Sequence, residues 1–346
     1  MGRCFAVYDI TTKTSVTLNV PKTHKSSRLF STSPYLTLGT RVKEVLPGGC
    51  KIADVLLFDP VEEELVTVPD KTIPKELMDQ EMVGASHGWG FFCARHDRSV
   101  RITDLFNPLA SKSNPTVITL PQLTALPSNQ IEEAGRDLEW TNILTLLTAW
   151  KTQILCIPKR QKFYLPAPGG KYLFSYHLHS KEEDIPEVQE VVYRGHPELD
   201  QSEWELLSSC TRTEYLVESS FSGERFLIKW SHLYTSWYAL GFYSSVLKGV
   251  YHITKRFMVF REEETTEGSI MCYTEDIGDM CIFLANSEAF CVPASSCAGL
   301  KPNSIYHMGR GLGFYDLTTG NPHQYLAPDG APSVLSQPYW LPPFST

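Results

Sequence analysis

Proline and glycine leave this chain little room for long helices. Its 346 residues contain 23 Pro and 22 Gly, spread between short apolar stretches rather than gathered in one block. A proline inside a helix removes a hydrogen bond and clashes with the preceding turn, at about 3 kcal/mol. The stretches between these breakers alternate in the two-residue period of a strand. The clearest is a hairpin, with Glu214-Tyr-Leu-Val-Glu218, a turn over Ser219–Gly223, and Arg225-Phe-Leu-Ile-Lys-Trp230. Comparable segments are Ile52–Asp59 ending at Pro60, Glu64–Val68, Gly84–Ala94, Val100–Pro108, Gln153–Ile157, Lys162–Leu165 and Tyr172–Leu178, with a Pro-Gly-Gly turn at 168–170. They resume at Lys255–Arg261, Met271–Thr274, Met280–Leu284, Ala289–Val292 and Ser304–His307.

About fifteen short strands at turn-separated spacing predict an all-β fold, a sandwich, barrel or propeller. Alternating strand–helix–strand units are absent, which excludes a doubly wound parallel sheet. Some stretches resist assignment. Residues 109–129 and the acidic stretch 180–205 read mostly as loop, Pro127–Gly135 carries no strand, and Ser231–Val250 is aromatic without a clear period. Trp140–Trp150 fits a short helix or an extended segment equally.

Charge narrows the partners. The net charge is −8, yet residues 1–51 hold eight Lys/Arg against Asp9 and Glu44, a net of +6 that leaves −14 for the remainder. An acidic body lacks the basic footprint of a nucleic-acid binder. No run approaches the roughly 18 apolar residues of a membrane-spanning helix. The nine cysteines, Cys4, Cys50, Cys93, Cys156, Cys210, Cys272, Cys281, Cys291 and Cys297, form no Cys-x-x-Cys pair. Several lie in apolar runs, the pattern of buried thiols in a reducing compartment. The N-terminus does not have the form of a secretory signal.

The chain also repeats itself. Residues 1–21, MGRCFAVYDITTKTSVTLNVP, align with 308–328, MGRGLGFYDLTTGNPHQYLAP, without a gap. Gly2, Arg3, Tyr8, Asp9, Thr11, Thr12 and Pro21 meet Gly309, Arg310, Tyr315, Asp316, Thr318, Thr319 and Pro328. The C-terminal copy is expected to close the fold, leaving the N-terminal copy outside it. Between the first copy and the strands, residues 22–35 hold three Lys/Arg, no acid and a run of hydroxyl residues. That composition fits an organellar transit peptide or a solvated linker. The expected division is thus 1–21 as the extra hairpin copy, 22–51 as leader or linker, 52–326 as the propeller domain, and 327–346 as a Pro-rich tail.

Three blocks carry a family resemblance. The first is Phe58-Asp-Pro60 with Gly84-Ala-Ser-His-Gly-Trp89 and Leu105-Phe-Asn-Pro108. The second is Arg212-Thr-Glu-Tyr-Leu-Val-Glu218 with Phe226-Leu-Ile-Lys-Trp230. The third joins Lys255–Arg261, Asp279–Leu284, Gly299–Tyr306 and Tyr315-Asp-Leu-Thr-Thr-Gly320. Together they resemble the plant kelch-like, F-box-associated proteins with domain of unknown function 295, a KIB-type β-propeller, and most closely the organellar branch that lacks the F-box. The resemblance covers about residues 52–326 and implies a kelch-like propeller with no assigned catalytic residues. F-box relatives hold protein substrates for ubiquitination. No helical F-box fits ahead of residue 52, so an adaptor role is not carried over. The resemblance and Arg28-Leu-Phe-Ser-Thr-Ser33 imply mitochondria, with the cytoplasm as the alternative because the motif is not N-terminal. Relatives carry strands ahead of Arg136-Asp-Leu-Glu-Trp140 where this chain has Pro127–Gly135, so one blade is expected to be incomplete. The N-terminal copy looks like the tail of a neighbouring copy fused ahead of a leader, by tandem duplication or a misdrawn gene model.

Candidate chemistry stays weak throughout. His87 could serve as a base near Cys93, but no nucleophile–base–orienter set accompanies it. His177 and His179 share a strand face without a third ligand nearby. Gly309-Arg-Gly-Leu-Gly313 lacks the following helix a phosphate loop needs. Glu262–Glu264 and Glu182–Asp184 read as solvated loop charges. The aromatics Trp230, Tyr234, Trp237, Tyr238, Phe242 and Tyr243 read as core, or as a recognition patch if exposed. No catalytic, cofactor-binding or metal residue is assigned. The expected function is a non-enzymatic propeller that binds a protein partner. The alternatives are an enzyme or small-ligand binder using a central pocket, and a degenerate duplicate.

Overall fold

The computed structural model describes residues 4–9, 14–19, 33–78, 80–86, 88–94, 99–119, 155–157, 162–177, 187–236, 250–266, 268–285, 288–308, 312–326, 328, 330 and 338–343. The two strands β1 (Cys4–Asp9) and β2 (Thr14–Asn19) pair only with each other among the described strands. Then come β3 (Tyr35–Val45), β4 (Lys51–Asp59) and β5 (Glu64–Ile73). A second group is β6 (Gln80–Ser86), β7 (Trp89–Ala94), β8 (Val100–Thr103) and β9 (Val117–Thr119). A third is β10 (Leu155–Ile157), β11 (Lys162–Pro166), β12 (Tyr172–His177) and β13 (Glu187–Glu190). Next come β14 (Val192–Arg194), helix α1 (Gln201–Ser209), β15 (Thr211–Glu218), β16 (Arg225–Ser236), β17 (Val250–Thr265) and β18 (Gly268–Thr274). The last are β19 (Met280–Leu284), β20 (Phe290–Pro293), β21 (Ser304–Met308), β22 (Leu312–Asp316), β23 (Asn321–Gln324) and β24 (Trp340–Leu341).

These strands form an all-β propeller. Apart from the β1–β2 hairpin, the described sheets run β24-β3-β4-β5, β6-β7-β8-β9, β10-β11-β12-β13, β14-β18-β17-β16-β15 and β20-β19-β21-β22-β23. Pairing is antiparallel except for β14 with β18 and β19 with β21. Local chemistry sets the turns. The Asp59 carboxylate accepts from the Val61 N–H at 2.9 Å, ending β4 where Asp-Pro predicts a turn. Between β15 and β16, the Ser219 hydroxyl accepts from the Ser222 N–H at 3.1 Å. Gly223 there sits at φ +75°, the left-handed region that favours glycine.

Apolar clusters weld neighbouring sheets. Tyr35, Val55 and Leu57 of the first sheet pack with Ala85 and Phe92 of the second. Leu36, Leu56 and Phe58 use the other face to pack with Cys281, Phe283 and Tyr306 of the last. Val217, Ile228 and Phe257 pack with Ile282, Ile305 and Tyr315, while Leu216, Leu227 and Phe260 pack with Tyr164 and Leu173. Three thiols sit inside this core, those of Cys281, Cys291 and Cys297. Burial raises the pKa of each, which suppresses thiolate.

The sheet boundaries differ from the sequence division at both ends. β3 lies within 22–51 and β24 within 327–346, so both segments contribute to the propeller. Closure is made by β24, paired antiparallel to β3 through Trp340↔Leu36 and Leu341↔Tyr35, rather than by the 308–328 hairpin. Tyr339, Trp340 and Leu341 are 1%, 2% and 0% exposed. Trp340 meets the Phe283 ring edge-on at 5.0 Å, and Tyr339 meets Phe106 edge-on at 5.7 Å. A three-residue segment thus touches three sheets, and a run this short shows no period in sequence.

Other readings shift as well. Residues 201–205, the end of the stretch 180–205 expected to be mostly loop, belong to α1, capped by the Asp200 carboxylate accepting from the Glu203 N–H at 2.8 Å. β17 extends through Glu262–Glu264. Glu262 is therefore no solvated loop charge. It pairs with Arg225, both side chains 9% exposed, and accepts from the Ser269 hydroxyl at 2.5 Å. Each described sheet other than the β1–β2 hairpin has four or five strands, while Pro127–Gly135 and Trp140–Trp150 lie outside the described residues.

Trp340→Ala removes an aromatic side chain from this junction and should cost about 3–5 kcal/mol. Urea unfolding checks it, and a cost under 1 kcal/mol would show that the closure does not hold the ring. A second expectation concerns His307. It is 5% exposed, set edge-on to Phe257 at 5.0 Å, with no hydrogen-bond partner at either ring nitrogen among the described residues. Burial lowers its pKa from 6.5 to about 3. The folded state therefore binds fewer protons than the unfolded one between those values. Its stabilising contribution is complete above pH 6.5 and falls as pH drops toward 3, by up to about 1.4 kcal/mol per pH unit. His307→Phe should lessen that acid sensitivity relative to the parent, and identical pH profiles would refute this origin.

Candidate functional site

Most of the sequence candidates fall outside the described residues. His87 and His179 lie outside the described residues, as do Glu182–Asp184, Trp237, Tyr238, Phe242 and Tyr243. His177 and Tyr234 are described in backbone only, on β12 and β16. Cys93 is half-buried on β7. Trp230 is core, 5% exposed, stacked on Phe257 at 5.7 Å and donating from Nε1 to Thr254 Oγ1 at 3.1 Å. Of the glycine loop, 309–311 lie outside the described residues and Gly313 is in β22. Among the described residues, no cluster of three or more His, Cys, Asp or Glu could hold a metal ion.

A different group does converge, at one end of the face that β15, β16 and β17 present to β11 and β12. The Ser219–Gly223 turn fixes the register Arg212↔Ser231 and Glu214↔Lys229. The next strand adds Arg256 beside Ser231 and Met258 beside Lys229. Directly paired residues share a sheet face, so two arginines, a lysine, a glutamate and a serine stand together where the pattern leads one to expect apolar side chains.

Helix α1 roofs that end. Leu207, 3% exposed, anchors it in the core, and Glu203 pairs with Arg256 at 3.5 Å. Trp204, 38% exposed, lies at the rim. Against Lys229 lies the Pro168–Gly170 turn, where Gly170 has φ +64°. A Cβ on Gly170 would come within 2.8 Å of Tyr193 Oη and 3.1 Å of Lys229 Cε. Glycine is thus what lets Tyr193 donate its hydroxyl proton to the Gly170 carbonyl.

At this end is a cavity of about 60 Å3, lined by His196, Trp204, Arg212, Lys229, Ser231, Met258 and Phe260. The Lys229 ammonium sits 3.8 Å from the Tyr193 ring centroid and 5.3 Å from that of Phe260, a cation–π arrangement. Burial lowers its pKa to about 8, opposed by Glu214 and reinforced by Arg212. Glu214, 3% exposed, has its pKa raised by burial. No hydrogen bond joins Ser231 to Lys229 among the described residues, so the two do not form a nucleophile–base pair. The arrangement is a small, cationic, aromatic-rimmed recess. Opposed charges at Glu214 and Lys229 were a readable signal once the turn was located.

Comparison with known proteins places the chain. No match was found among curated proteins. Solved structures show remote likeness. A Bacteroides fragilis protein described as a candidate 6-phosphogluconolactonase is 9% identical, with 89% of this chain and 86% of that one covered and a TM-score of 0.27. Kluyveromyces lactis Hsv2 is 8% identical, with 78% and 91% covered and a TM-score of 0.24. Neither carries an activity over to this chain. The KIB1-4 beta-propeller family matches residues 132–325, which include β10–β23 and every residue around the recess, and on that match the chain belongs to the KIB1-4 beta-propeller family.

Proposed function

We propose that the protein is a non-enzymatic propeller that binds another protein through the recess beneath α1. The observation that carries this reading is a rim of Trp204 and Arg212, on rigid elements, around a cavity with cationic walls. Tryptophan and arginine dominate binding energy at protein interfaces, because each combines large contact area with a specific polar group. A cavity of about 60 Å3 is far below the roughly 300–1,000 Å3 of sites that enclose a small molecule. It suits the tip of a side chain, which favours a protein partner over the enzyme or small-ligand reading.

The finer placement proposed is the plant kelch-like, F-box-associated group in its organellar branch, with mitochondria as the compartment. The three sequence blocks and Arg28–Ser33 support it. N-terminal sequencing of the protein from its tissue tests the compartment. A mature start within residues 22–34, ahead of β3, is expected, and an intact Met1 would overturn it.

For the interaction, Trp204→Ala and Arg212→Ala should each abolish capture of the protein's specific partner from its tissue. Phe221→Ala, at a 67% exposed position on the β15–β16 turn, should leave capture unchanged. Equal capture by all three would remove this surface from the interaction.

A further inference from the structure

We propose that the recess takes the carboxylate of an acidic side chain, so that the partner presents a Glu or Asp to Arg212, Lys229 and Ser231. This rests on the reading of the recess as an interaction site and names the chemistry it recognises. Three donors around one cavity have no protein acceptor among the described residues. Ser231 is 1% exposed, and its hydroxyl has no hydrogen-bond partner among the described residues. A buried hydroxyl left unpaired costs about 1–3 kcal/mol, so such groups in native proteins ordinarily meet a partner.

The Lys229 ammonium has three donors and meets aromatic faces, with no ion pair within reach among the described residues. Glu214 stands opposite it in register, yet its Oε1 is buried without a partner, so the two charges do not close on each other. Arg212 is exposed at the mouth and also lacks an ion pair among the described residues. Arg256, the third cation on this face, is committed to Glu203 and Glu275 at 3.5 Å each.

A carboxylate answers all three donors. Its two oxygens offer about four acceptor positions, enough for the guanidinium, the ammonium and the hydroxyl together. Arg256 is already matched by Glu203 and Glu275, so the two cations without an ion pair, Arg212 and Lys229, are the ones that face an incoming carboxylate. The size agrees too, since about 60 Å3 is room for a few waters or one small group. Trp204 and Met258 then cover the stem of the incoming side chain, desolvating the pair and strengthening it.

The test is selection of random 12-residue peptides on the full chain, followed by affinity measurement against variants. Arg212→Gln is the main variant because the residue is exposed and its loss does not threaten folding. Lys229→Met, close to the same volume, is the second. Selected peptides should share one Glu or Asp. Changing that residue to Gln, or Arg212 to Gln, should each weaken binding about tenfold or more, and the two changes together little further.

Peptides that depend on Trp204 but need no acid would overturn the carboxylate assignment while leaving the interaction site in place. Peptides indifferent to Trp204, or none at all, would overturn the site itself. Inorganic phosphate displacing the peptides at lower concentration than acetate would assign the recess to a phosphoryl group, and so overturn the proposal.

Discussion

Closure between the two ends of the propeller is the constraint on which the other sheets depend. β24 reaches β3 across about 300 residues of sequence, and the loop-closure entropy of such a join is large. Two backbone pairings could not offset it. The offset comes from burying Tyr339, Trp340 and Leu341 almost completely, with Trp340 against Phe283 on one side and Tyr339 against Phe106 on the other. One segment therefore fixes the first sheet against both neighbours. The backbone supports the same contact, since Thr37 donates its N–H to the Tyr339 carbonyl at 3.0 Å and its hydroxyl accepts from the Tyr339 N–H at 3.2 Å.

Charge within this framework separates into two kinds. Arg225 and Glu262 are buried and matched, with the guanidinium also 5.3 Å from the Tyr164 ring. Lys71, fully buried, donates to the carbonyls of Asn107 and Ala110 at 2.8 and 2.9 Å, tying β5 to the loop after β8. Those groups are satisfied and hold elements together. Ser231 is buried without a hydrogen-bond partner among the described residues, and Lys229 and Arg212, which have no ion pair among those residues, border the same cavity. Two cations without an ion pair beside a buried unpaired hydroxyl, all opening on one cavity, leave room for an acceptor from outside, which a closed pair such as Arg225 and Glu262 does not.

Much of the strand content was legible because alternation and turn chemistry are local. The Glu214–Trp230 hairpin, the Asp59-Pro60 turn and the Pro-Gly-Gly turn all follow from neighbouring residues. β24 did not, because two residues have no period and its partner is distant. Helix α1 had a local signal, Asp200 three residues before Glu203, but acidic composition masked it. A run of three acids looks solvated, whereas alternation along β17 turns its first member, Glu262, toward Arg225. The recess was half legible. The turn alone sets Glu214 against Lys229, but His196 and Trp204, which complete the lining, come from separate stretches.

The repeated hairpin shows how far sequence identity falls short of equivalence in packing. β1 and β2 pair in the same register as β22 and β23, with Ala6↔Thr17 and Asp9↔Thr14 corresponding to Gly313↔Gln324 and Asp316↔Asn321. Yet the residues that seat the C-terminal copy are those the N-terminal one lacks. A Cβ at Gly313 would run into the His323 carbonyl, and the equivalent residue is Ala6. Phe314 stacks on His323 at 4.8 Å, and both positions are valine in the other copy, Val7 and Val16. Tyr325 packs on Phe58 at 5.2 Å and donates to the Pro60 carbonyl at 3.2 Å, a bond Leu18 cannot make. The shared residues, Tyr, Asp and the two threonines, specify a turn and its pairing. The differing ones specify its place in a sheet. Two copies can thus share a pairing register while only one carries the tyrosine that ties the hairpin to β4 and the turn after it.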